Sequence, residues 1–221
     1  MDRKRLVAGM AGNPNVGKSA IFNELTGSRQ HVGNWPGKTI ERAEGRFHFR
    51  GWEIELVDLP GTYSLAAQSP EEIVARDFIL SDEVDIVVNI VDATNLERNL
   101  NLTLQILEMT DQVVVALNLM DEVERRGWEI DVEALESDLG VPVVPTVATE
   151  GKGLPELMDA LVDVAAGDRP TDPTAVDYGL TVEGHVETLE ADLDHLGIDG
   201  RRRWMALRLL EDDPERSEER R

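Results

Sequence analysis

The sequence predicts an α/β fold in which a mostly parallel six-stranded sheet is flanked by helices and followed by a small all-helical domain. Short apolar runs alternate with segments of helical period over residues 1–166. Continuous apolar strands of this kind are typical of parallel sheets that are covered on both faces. Polar loops follow several of the runs, which puts them at the carboxyl ends of strands, where such sheets bind ligands.

Each element is assigned from its pattern. The predicted strands are Leu6–Met10, Arg46–Phe49, Glu53–Asp58, Asp85–Asp92, Val113–Asn118 and Pro142–Thr146. The predicted helices are Lys18–Thr26, Pro70–Leu80, Leu96–Thr110, Val132–Leu139 and Leu154–Ala166, then Val182–Leu196 and Arg201–Leu210. Between these two groups of helices the string GDRPTDPTA carries two prolines and a glycine, which indicates a linker. We therefore predict a first domain over 1–166, a linker over 167–175 and a helical domain over 176–221.

Composition excludes several kinds of site. The chain has 221 residues and no cysteine, so disulfides and thiolate metal sites are excluded. Its four histidines are scattered and form no ligand cluster. The apolar runs are too short to span a bilayer, and we see no basic-then-apolar leader that would mark the chain for export.

The charge balance is strongly acidic, because 44 Asp and Glu residues oppose 22 Lys and Arg residues and leave a net charge of −22. Such a surface repels nucleic acid and anionic lipid headgroups, so we expect no nucleic-acid partner. One interpretation is a protein that excludes acidic substrates or attracts cations. The other is a surface adapted to a cytosol of very high salt, as in a halophilic archaeon, where repulsion is screened. The second relates the charge to habitat rather than to activity, and we adopt it.

The most flexible and polar loop lies between the first predicted strand and the first predicted helix. Gly12–Ser19, GNPNVGKS, fits the pattern G-x-x-x-x-G-K-[ST]. Its backbone N–H groups and the N-terminus of the following helix favour phosphate oxygens. Lys18 would reach the β- and γ-phosphates, and the Ser19 hydroxyl would be a Mg²⁺ ligand. The alternative is a glycine-rich turn capped by Ser19. The sequence therefore predicts a P-loop NTPase.

A second motif, Asp58-Leu59-Pro60-Gly61, ends another predicted strand. Asp58 would hold Mg²⁺ through water, and the Gly61 amide would touch a γ-phosphate. A D-x-x-G string by itself is more often a turn, but its place at a strand end favours the functional interpretation. Thr39, in the loop after the first helix, would complete the Mg²⁺ shell when a γ-phosphate is present.

A third motif, Asn118-Leu119-Met120-Asp121, predicts the base. A carboxylate accepts hydrogen bonds from guanine N1–H and the exocyclic amino group, whereas adenine would leave Asp121 unpaired. Asn118 would brace the base site, and the Ala148 amide after Val147 would meet guanine O6. The predicted nucleotide contacts are Asn13, Pro14, Asn15, Val16, Gly17, Lys18, Ser19, Ala20, Thr39, Asp58, Gly61, Asn118, Met120, Asp121, Val147 and Ala148.

Taken together, these residues resemble a small GTPase of the translation-factor type, and the longer strings resemble the cytosolic front end of FeoB-type ferrous iron transporters. The strings are GNPNVGKSAIFNELTG, VGNWPGKTIERAEG, VDLPGTYSL, VVNIVDATNLERNLNLTLQ, LNLMDE and PVVPTVATEGKGLPEL. Beyond the linker, RRRWMALRLLEDD is similar to that family's helical domain. The resemblance therefore runs over nearly the whole chain.

The resemblance implies a role rather than only a fold. It implies that GTP binding or hydrolysis gates or stimulates iron uptake, and that the helical domain tunes nucleotide affinity. The expected partners are a guanine nucleotide (GTP or GDP), a membrane transport domain absent from this chain and, in a homo-oligomer, further copies of the chain. The expected location is the cytoplasm, at the inner face of the cell membrane. No iron ligand set is visible in these residues.

Hydrolysis is expected to be slow. Many small GTPases orient the attacking water with a glutamine directly after D-x-x-G, but Thr62 stands there and its side chain is short. The resemblance implies that Asn15 helps to bind K⁺, with backbone carbonyls around Gly33 and Trp35. The alternative role of Asn15 is a hydrogen bond within the loop. The side chain of Trp35 is expected to be either a hydrophobic lid or a packed aromatic.

The expected catalytic residues are Lys18, Thr39 and Asn15, and the expected Mg²⁺ ligands are Ser19, Thr39 and Asp58. Two candidates remain for the groups that position the attacking water. They are the backbone of residues 34–39 and the side chains of Glu71 and Glu72. Two other functions compete with hydrolysis. One is a non-catalytic nucleotide sensor, and the other is a related GTPase of RNA maturation, which the acidic tail disfavours.

Overall fold

The computed structural model describes residues 4–27, 30–198 and 201–211. Its seven strands form one sheet in the order β2-β3-β4-β1-β5-β6-β7. The strands are β1 Lys4–Gly12, β2 Gln30–Asn34, β3 Glu41–Phe49, β4 Trp52–Asp58, β5 Ile86–Asp92, β6 Val113–Asn118 and β7 Val143–Pro145. From β4 to β7 all pairings are parallel, and β2–β3 and β3–β4 are antiparallel. The α/β class is confirmed, and the sheet is mixed.

The prediction of six strands was wrong by one, because β2 was taken for a loop. β2 reads QHVGN and all its residues are exposed, so it has no apolar run to reveal it. β3 begins at Glu41 rather than Arg46 for the same reason, since its first residues are polar and lie near the sheet edge. β2 forms by pairing with β3 and not through burial of its own side chains. β3 also packs Ala43, Phe47 and Phe49 against the core.

Eight helices appear in the described part of the chain. They are α1 Lys18–Thr26, α2 Pro70–Leu80, α3 Leu96–Met109, α4 Met120–Arg125, α5 Val132–Leu139, α6 Leu154–Ala166, α7 Leu180–His195 and α8 Arg202–Leu210. The short helix α4 was not predicted. No helix in the described ranges is long and apolar enough to cross a membrane.

The sheet separates two apolar cores. Helices α1 and α6 cover one face, with Ile21, Phe22 and Leu161 fully or almost fully buried. Helices α2 to α5 cover the other face. Because the central strands are buried on both sides, their sequences are continuously apolar, which is why the pattern located them correctly.

The segment predicted as a linker is fixed to the sheet domain. The backbone N–H of Asp172 donates to Gly140 at 2.9 Å, and that of Thr174 donates to Leu139 at 3.2 Å. Gly140 has a φ of +70°, and a Cβ on it would come within 1.8 Å of the Asp172 carbonyl oxygen. Residues 167–175 therefore run along the first domain and are hydrogen-bonded to it, although their composition is that of a turn.

The two C-terminal helices depend on the first domain for their core. Trp204 of α8 is 1% exposed and belongs to the apolar core on the face of the sheet that α2 to α5 cover. The α7–α8 pair has only a small apolar cluster of its own, centred on Val186 and Leu207. Arg203 joins the two helices by bonding Glu183 at 2.8 and 2.9 Å, and its guanidinium lowers the pKa of Glu183 to about 2.

We predict that Trp204→Ala lowers the free energy of unfolding by about 3–5 kcal/mol, because truncating a buried tryptophan leaves a cavity at this junction. Urea denaturation measures the change. The matched control is Trp128→Ala, since Trp128 is half exposed and its loss should cost less than about 1 kcal/mol. Equal effects of the two substitutions would contradict the docking of α8.

Candidate functional site

The loop between β1 and α1 has a backbone that only certain residues adopt. Asn15 and Gly17 have φ values of +67° and +88°, a region that favours glycine and asparagine. A Cβ on Gly17 would lie 2.2 Å from Asn118 Nδ2, and one on Gly12 would lie 2.7 Å from the Ile90 carbonyl oxygen. Close approach therefore requires both glycines of the motif, and the positive φ of Gly17 is a second reason for glycine there.

A partly buried ion pair joins this loop to the end of β4. Lys18 Nζ donates to Asp58 Oδ1 and, at 2.6 Å, to the Leu59 carbonyl oxygen. Burial raises the pKa of Asp58, and the charge of Lys18 opposes that shift. The pair thus places one cation and one carboxylate at the carboxyl edge of the sheet, as the two motifs predict.

The segment that starts at Asp58 also lies against the phosphate loop through its backbone. The Thr62 N–H donates to the Gly12 carbonyl at 3.4 Å, and a Cβ on Gly61 would come within 3.3 Å of Pro14 Cα. Asn13 is buried, and its Nδ2 has no hydrogen-bond partner among the described residues. An unpaired buried donor is costly, and a phosphate oxygen is an acceptor that would satisfy it.

Asn118 holds three loops together. Its side chain is fully buried; Nδ2 donates to the Val16 carbonyl at 2.9 Å, and Oδ1 accepts from the Ala148 N–H at 3.0 Å and from Thr146 Oγ1 at 3.2 Å. These partners follow β1 and β7, while Asn118 ends β6. These hydrogen bonds are consistent with the predicted bracing role of Asn118. Thr146 is a further partner of the Asn118 side chain, and the sequence analysis did not predict it. Its only signal is a threonine ending an apolar strand.

The other residues of the base motif lie at the start of α4. Asp121 lies in the first turn of α4 and accepts a hydrogen bond from Arg125 at 2.6 Å. It lines a cavity of about 710 Å³ together with Met120, Val147 and Lys152. Met120 also packs against the apolar core. Leu119, which was not among the predicted contacts, has a φ of +66° and turns the chain from β6 into α4.

The loop that carries Thr39 forms a closed turn. The Trp35 N–H donates to Ile40 at 2.9 Å, and the Lys38 N–H donates to the Trp35 carbonyl at 3.0 Å. Thr39 is exposed on this turn, and Gly33 is exposed on β2. Their assignments, and that of Ala20 at the start of α1, stay predictions.

Trp35 is a packed aromatic in this structure. It is buried, its ring meets Phe78 of α2 edge-on at 5.4 Å, and the Arg42 guanidinium lies 4.4 Å from its centroid. The packed alternative for Trp35 therefore describes the structure better than an open lid. The reason is that Phe78, distant in sequence, supplies a partner ring.

Other side chains near the site have structural roles. Ser69 caps α2 by accepting from the Glu72 N–H at 3.2 Å, and the Glu72 carboxylate accepts from the Gln68 N–H, one residue before the cap, at 2.8 Å. This is a variant of the capping box. Glu72 is thus engaged in the cap, while Glu71 is exposed. Gln105 of α3, which was not predicted, accepts from the Leu65 N–H at 2.8 Å and holds the segment that follows Thr62.

The oxygen donors of the site suit hard cations. Ser19, Thr39 and Asp58 offer hydroxyl and carboxylate oxygens, the ligand types that Mg²⁺ prefers, and Asn15 offers an exposed amide in the phosphate loop. Within the described ranges no group of three or more histidine and acidic residues is arranged to hold a metal by itself.

Comparison with known proteins identifies relatives along most of the chain. The model of the family described as "Ferrous iron transport protein B" matches residues 6–161. The Fe(2+) transporter FeoB of Escherichia coli K12 is 43% identical over 214 residues, which are 95% of this chain and 27% of that protein. A Fe(2+) transport protein A/FeoB fusion protein of Porphyromonas gingivalis is 46% identical over 93% of the chain and 25% of its own length. The chain thus spans about a quarter of these relatives.

Solved structures of related proteins have the same fold. The cytosolic domain of the T. maritima FeoB iron transporter in its GMPPNP form has a TM-score of 0.90 and 42% identity, covering 97% of this chain and 84% of that one. The same domain in a GDP form also has a TM-score of 0.90. The cytosolic domain of L. pneumophila FeoB has a TM-score of 0.85 and 39% identity, covering 95% and 89%.

We predict that Asn118→Ala lowers the free energy of unfolding by about 2–4 kcal/mol, because it leaves buried backbone groups of two loops unpaired. Chemical denaturation without added ligand measures this. Asn101→Ala, on an exposed turn of α3, is the control and should change stability by less than about 0.5 kcal/mol. If the two variants were equally stable, the bracing role of Asn118 would have to be abandoned.

Proposed function

The chain belongs to the ferrous iron transport protein B family, and we propose that it is the GTP-binding and GTP-hydrolysing regulatory unit of a ferrous iron uptake transporter. The relatives are about four times as long as the segment they share with this chain, and relatives of this segment are described as cytosolic domains. We place the unit in the cytoplasm at the inner face of the cell membrane, where its partner is a membrane transport domain that carries Fe²⁺.

One observation carries this proposal. Through the side chain of Asn118 and the ion pair of Lys18 with Asp58, the three predicted nucleotide motifs meet at one edge of the sheet. Parallel sheets bind ligands at this edge, and the N-terminus of α1 adds the partial positive charge that phosphates favour. Separate motifs of this kind are weak signals, whereas their convergence supports a triphosphate site.

Guanine recognition is assigned to Asp121. Its carboxylate would accept two hydrogen bonds from guanine N1–H and the exocyclic amino group, and its present partner Arg125 is largely exposed on α4. An adenine would present an acceptor to the same carboxylate, and an unpaired charge in a closed site costs several kcal/mol. The Ala148 N–H, which bonds Asn118 in this structure, would be shared with guanine O6.

The proposed metal ligands act on the phosphates. Ser19 and Asp58 would hold Mg²⁺, with Thr39 added when the γ-phosphate is bound. When bound, Mg²⁺ neutralises the charge that develops on the phosphate oxygens. Lys18 would exchange part of its contact with Asp58 for the β- and γ-phosphates, so the carboxylate would become available to the cation.

Hydrolysis is proposed to be slow and stimulated by K⁺. Thr62 is buried with its N–H on Gly12, so it does not supply the long side chain that orients water in many small GTPases. Asn15, with carbonyl groups of Gly33 and Trp35, would hold a K⁺ that stabilises developing charge. The buried Thr62 also favours a second candidate, a nucleotide sensor that binds GTP without appreciable turnover.

Calorimetry with GTP, ATP and XTP in the presence of Mg²⁺ tests the proposal. We expect the native chain to bind GTP at least tenfold more tightly than ATP, a difference of about 1.4 kcal/mol or more. Asp121→Asn should lose at least tenfold in GTP affinity and gain affinity for XTP, because an amide matches the xanthine edge. Glu124→Gln, which changes another acid of the same cavity, is the control and should bind GTP as the native chain does. Equal affinity for ATP and GTP would overturn the proposal.

Turnover measured in KCl and in NaCl tests the role of Asn15. We expect Asn15→Ala to lose the stimulation by K⁺ while GDP binding is kept. Since Asn15 has a φ of +67°, alanine adds backbone strain, so Asn15→Gly serves as the matched variant that removes the side chain without strain. Both variants should behave alike. A native chain with no turnover in either salt would favour the sensor, and K⁺ stimulation that survives in Asn15→Gly would remove Asn15 from the cation site.

A further inference from the structure

The carboxylate assigned to the base is held at one of its two oxygens. Asp121 Oδ2 accepts a hydrogen bond from Arg125 Nη2 at 2.6 Å, whereas no residue in the described ranges donates to Oδ1. The Asp121 side chain is 29% exposed. Since an ionised carboxylate accepts up to about four hydrogen bonds, most of its capacity is open to a ligand while one oxygen is already fixed.

Arg125 reaches this carboxylate from the far end of α4. The Met120 N–H donates to the Thr146 carbonyl at 3.3 Å, and Thr146 Oγ1 donates to Asn118, so the N-terminus of α4 is the end that meets the loops of the site. Arg125 is the last residue of the helix, four residues after Asp121 and about 6 Å further along the axis. Its guanidinium therefore approaches from the side away from those loops and leaves the side towards them open.

Arg125 is itself held by a second acid. Its Nη2 lies 2.8 Å from Glu122 Oε1, although the side chain is 64% exposed. The hydrogen bond to Asp121 and the charge of Glu122 raise the pKa of the Arg125 guanidinium, which is therefore charged at every working pH. Lys152, the cation that lines the cavity beside Asp121, pairs with Glu150 at 2.5 Å instead. Among the described residues, Arg125 is thus the cation that fixes the carboxylate.

We propose that Arg125 is a positioning residue for guanine recognition, which fixes the plane of the Asp121 carboxylate so that it meets guanine N1–H and the exocyclic amino group together. The inference rests on the proposed function, because it takes Asp121 as the residue that reads the base. Arg125 stays on one lone pair of Oδ2, while the base uses the other lone pair and Oδ1. Arg125 itself touches neither the base nor the phosphates.

The physical reason lies in the geometry of a double hydrogen bond. Two parallel hydrogen bonds require a defined carboxylate plane, whereas a single one tolerates rotation of the acceptor. In the part of the chain that the structure describes, no group other than Arg125 donates to the Asp121 carboxylate. Without Arg125 the carboxylate would rotate, and guanine would have to order it on binding. Ordering one side chain at a binding site lowers affinity by a factor of about two to ten.

The opposite role for Arg125 is competition with the base. Its N–H groups are donors, as are guanine N1–H and the exocyclic amino group, so a guanidinium could occupy the carboxylate until a nucleotide displaces it. The geometry favours positioning, because Arg125 comes from the side away from the site and shares its Nη2 with Glu122. The two roles predict opposite signs, since removal of Arg125 weakens GTP binding under positioning and strengthens it under competition.

Calorimetry with GTP and inosine triphosphate (ITP) in the presence of Mg²⁺ separates the two roles, because ITP lacks only the exocyclic amino group. We expect Arg125→Ala to lose about fivefold in GTP affinity but less than about twofold in ITP affinity, since ITP makes only one of the two hydrogen bonds. The ratio of GTP affinity to ITP affinity should therefore fall by more than about twofold. Arg125→Lys keeps a charged donor four residues after Asp121 and should bind GTP within about twofold of the native chain.

Arg126→Ala is the matched control, because it removes the same charge from the next residue, whose guanidinium lies 4.9 Å from the Trp128 ring centroid. It should leave the GTP-to-ITP ratio unchanged, and circular dichroism verifies that all variants fold. Equal losses of GTP and ITP affinity, a gain in GTP affinity, or identical ratios in Arg125→Ala and Arg126→Ala would each overturn the role of Arg125. In those cases a native chain that preferred GTP to ATP would leave the proposed function standing, whereas one that bound neither GTP nor ITP would overturn both.

Discussion

The fully buried amide of Asn118 is the interaction on which the rest of the site depends. Its two polar atoms contact the loops after β1 and β7 while its backbone ends β6. Because a buried amide with unmade hydrogen bonds is costly, the three loops are stable together only in the arrangement that satisfies it. The close approach of Asn118 also explains Gly17, since any Cβ there would overlap the amide.

The two segments expected to respond to a γ-phosphate are anchored to helices on one face of the sheet. Trp35 packs on Phe78 of α2, and Leu65 is held by Gln105 of α3. Tyr63 also lies 4.1 Å below the Arg98 guanidinium of α3. Movement of either segment would have to break contacts with α2 or α3. Helix α8 lies against α3, and Arg201, just before α8, donates to the Leu80 carbonyl at the end of α2. The C-terminal helices are thus in physical contact with the helices that hold these segments.

Charge governs contacts made by the acidic surface, whereas backbone hydrogen bonding governs contacts at the edges of the sheet. The net charge of −22 opposes contacts between copies and is screened only by salt, whereas backbone pairing along a strand does not depend on charge. Glu136 shows both effects, since it closes the β7 edge by taking the Val143 N–H and also pairs with Arg169.

By itself the sequence determined the α/β class, the central strands and the identity of the three motifs, because these depend on local pattern: buried strands must be apolar, and a phosphate loop needs glycines at fixed spacing. Tertiary structure alone decided that QHVGN is a strand, that the proline-containing segment of 167–175 is fixed, and that Trp35 is packed. It also decided that Thr146 bonds the side chain of Asn118 and that Gln105 holds the segment after Thr62. In each case the partner is distant along the chain, as with Phe78 for Trp35, and a local pattern carries no information about a contact made only after folding.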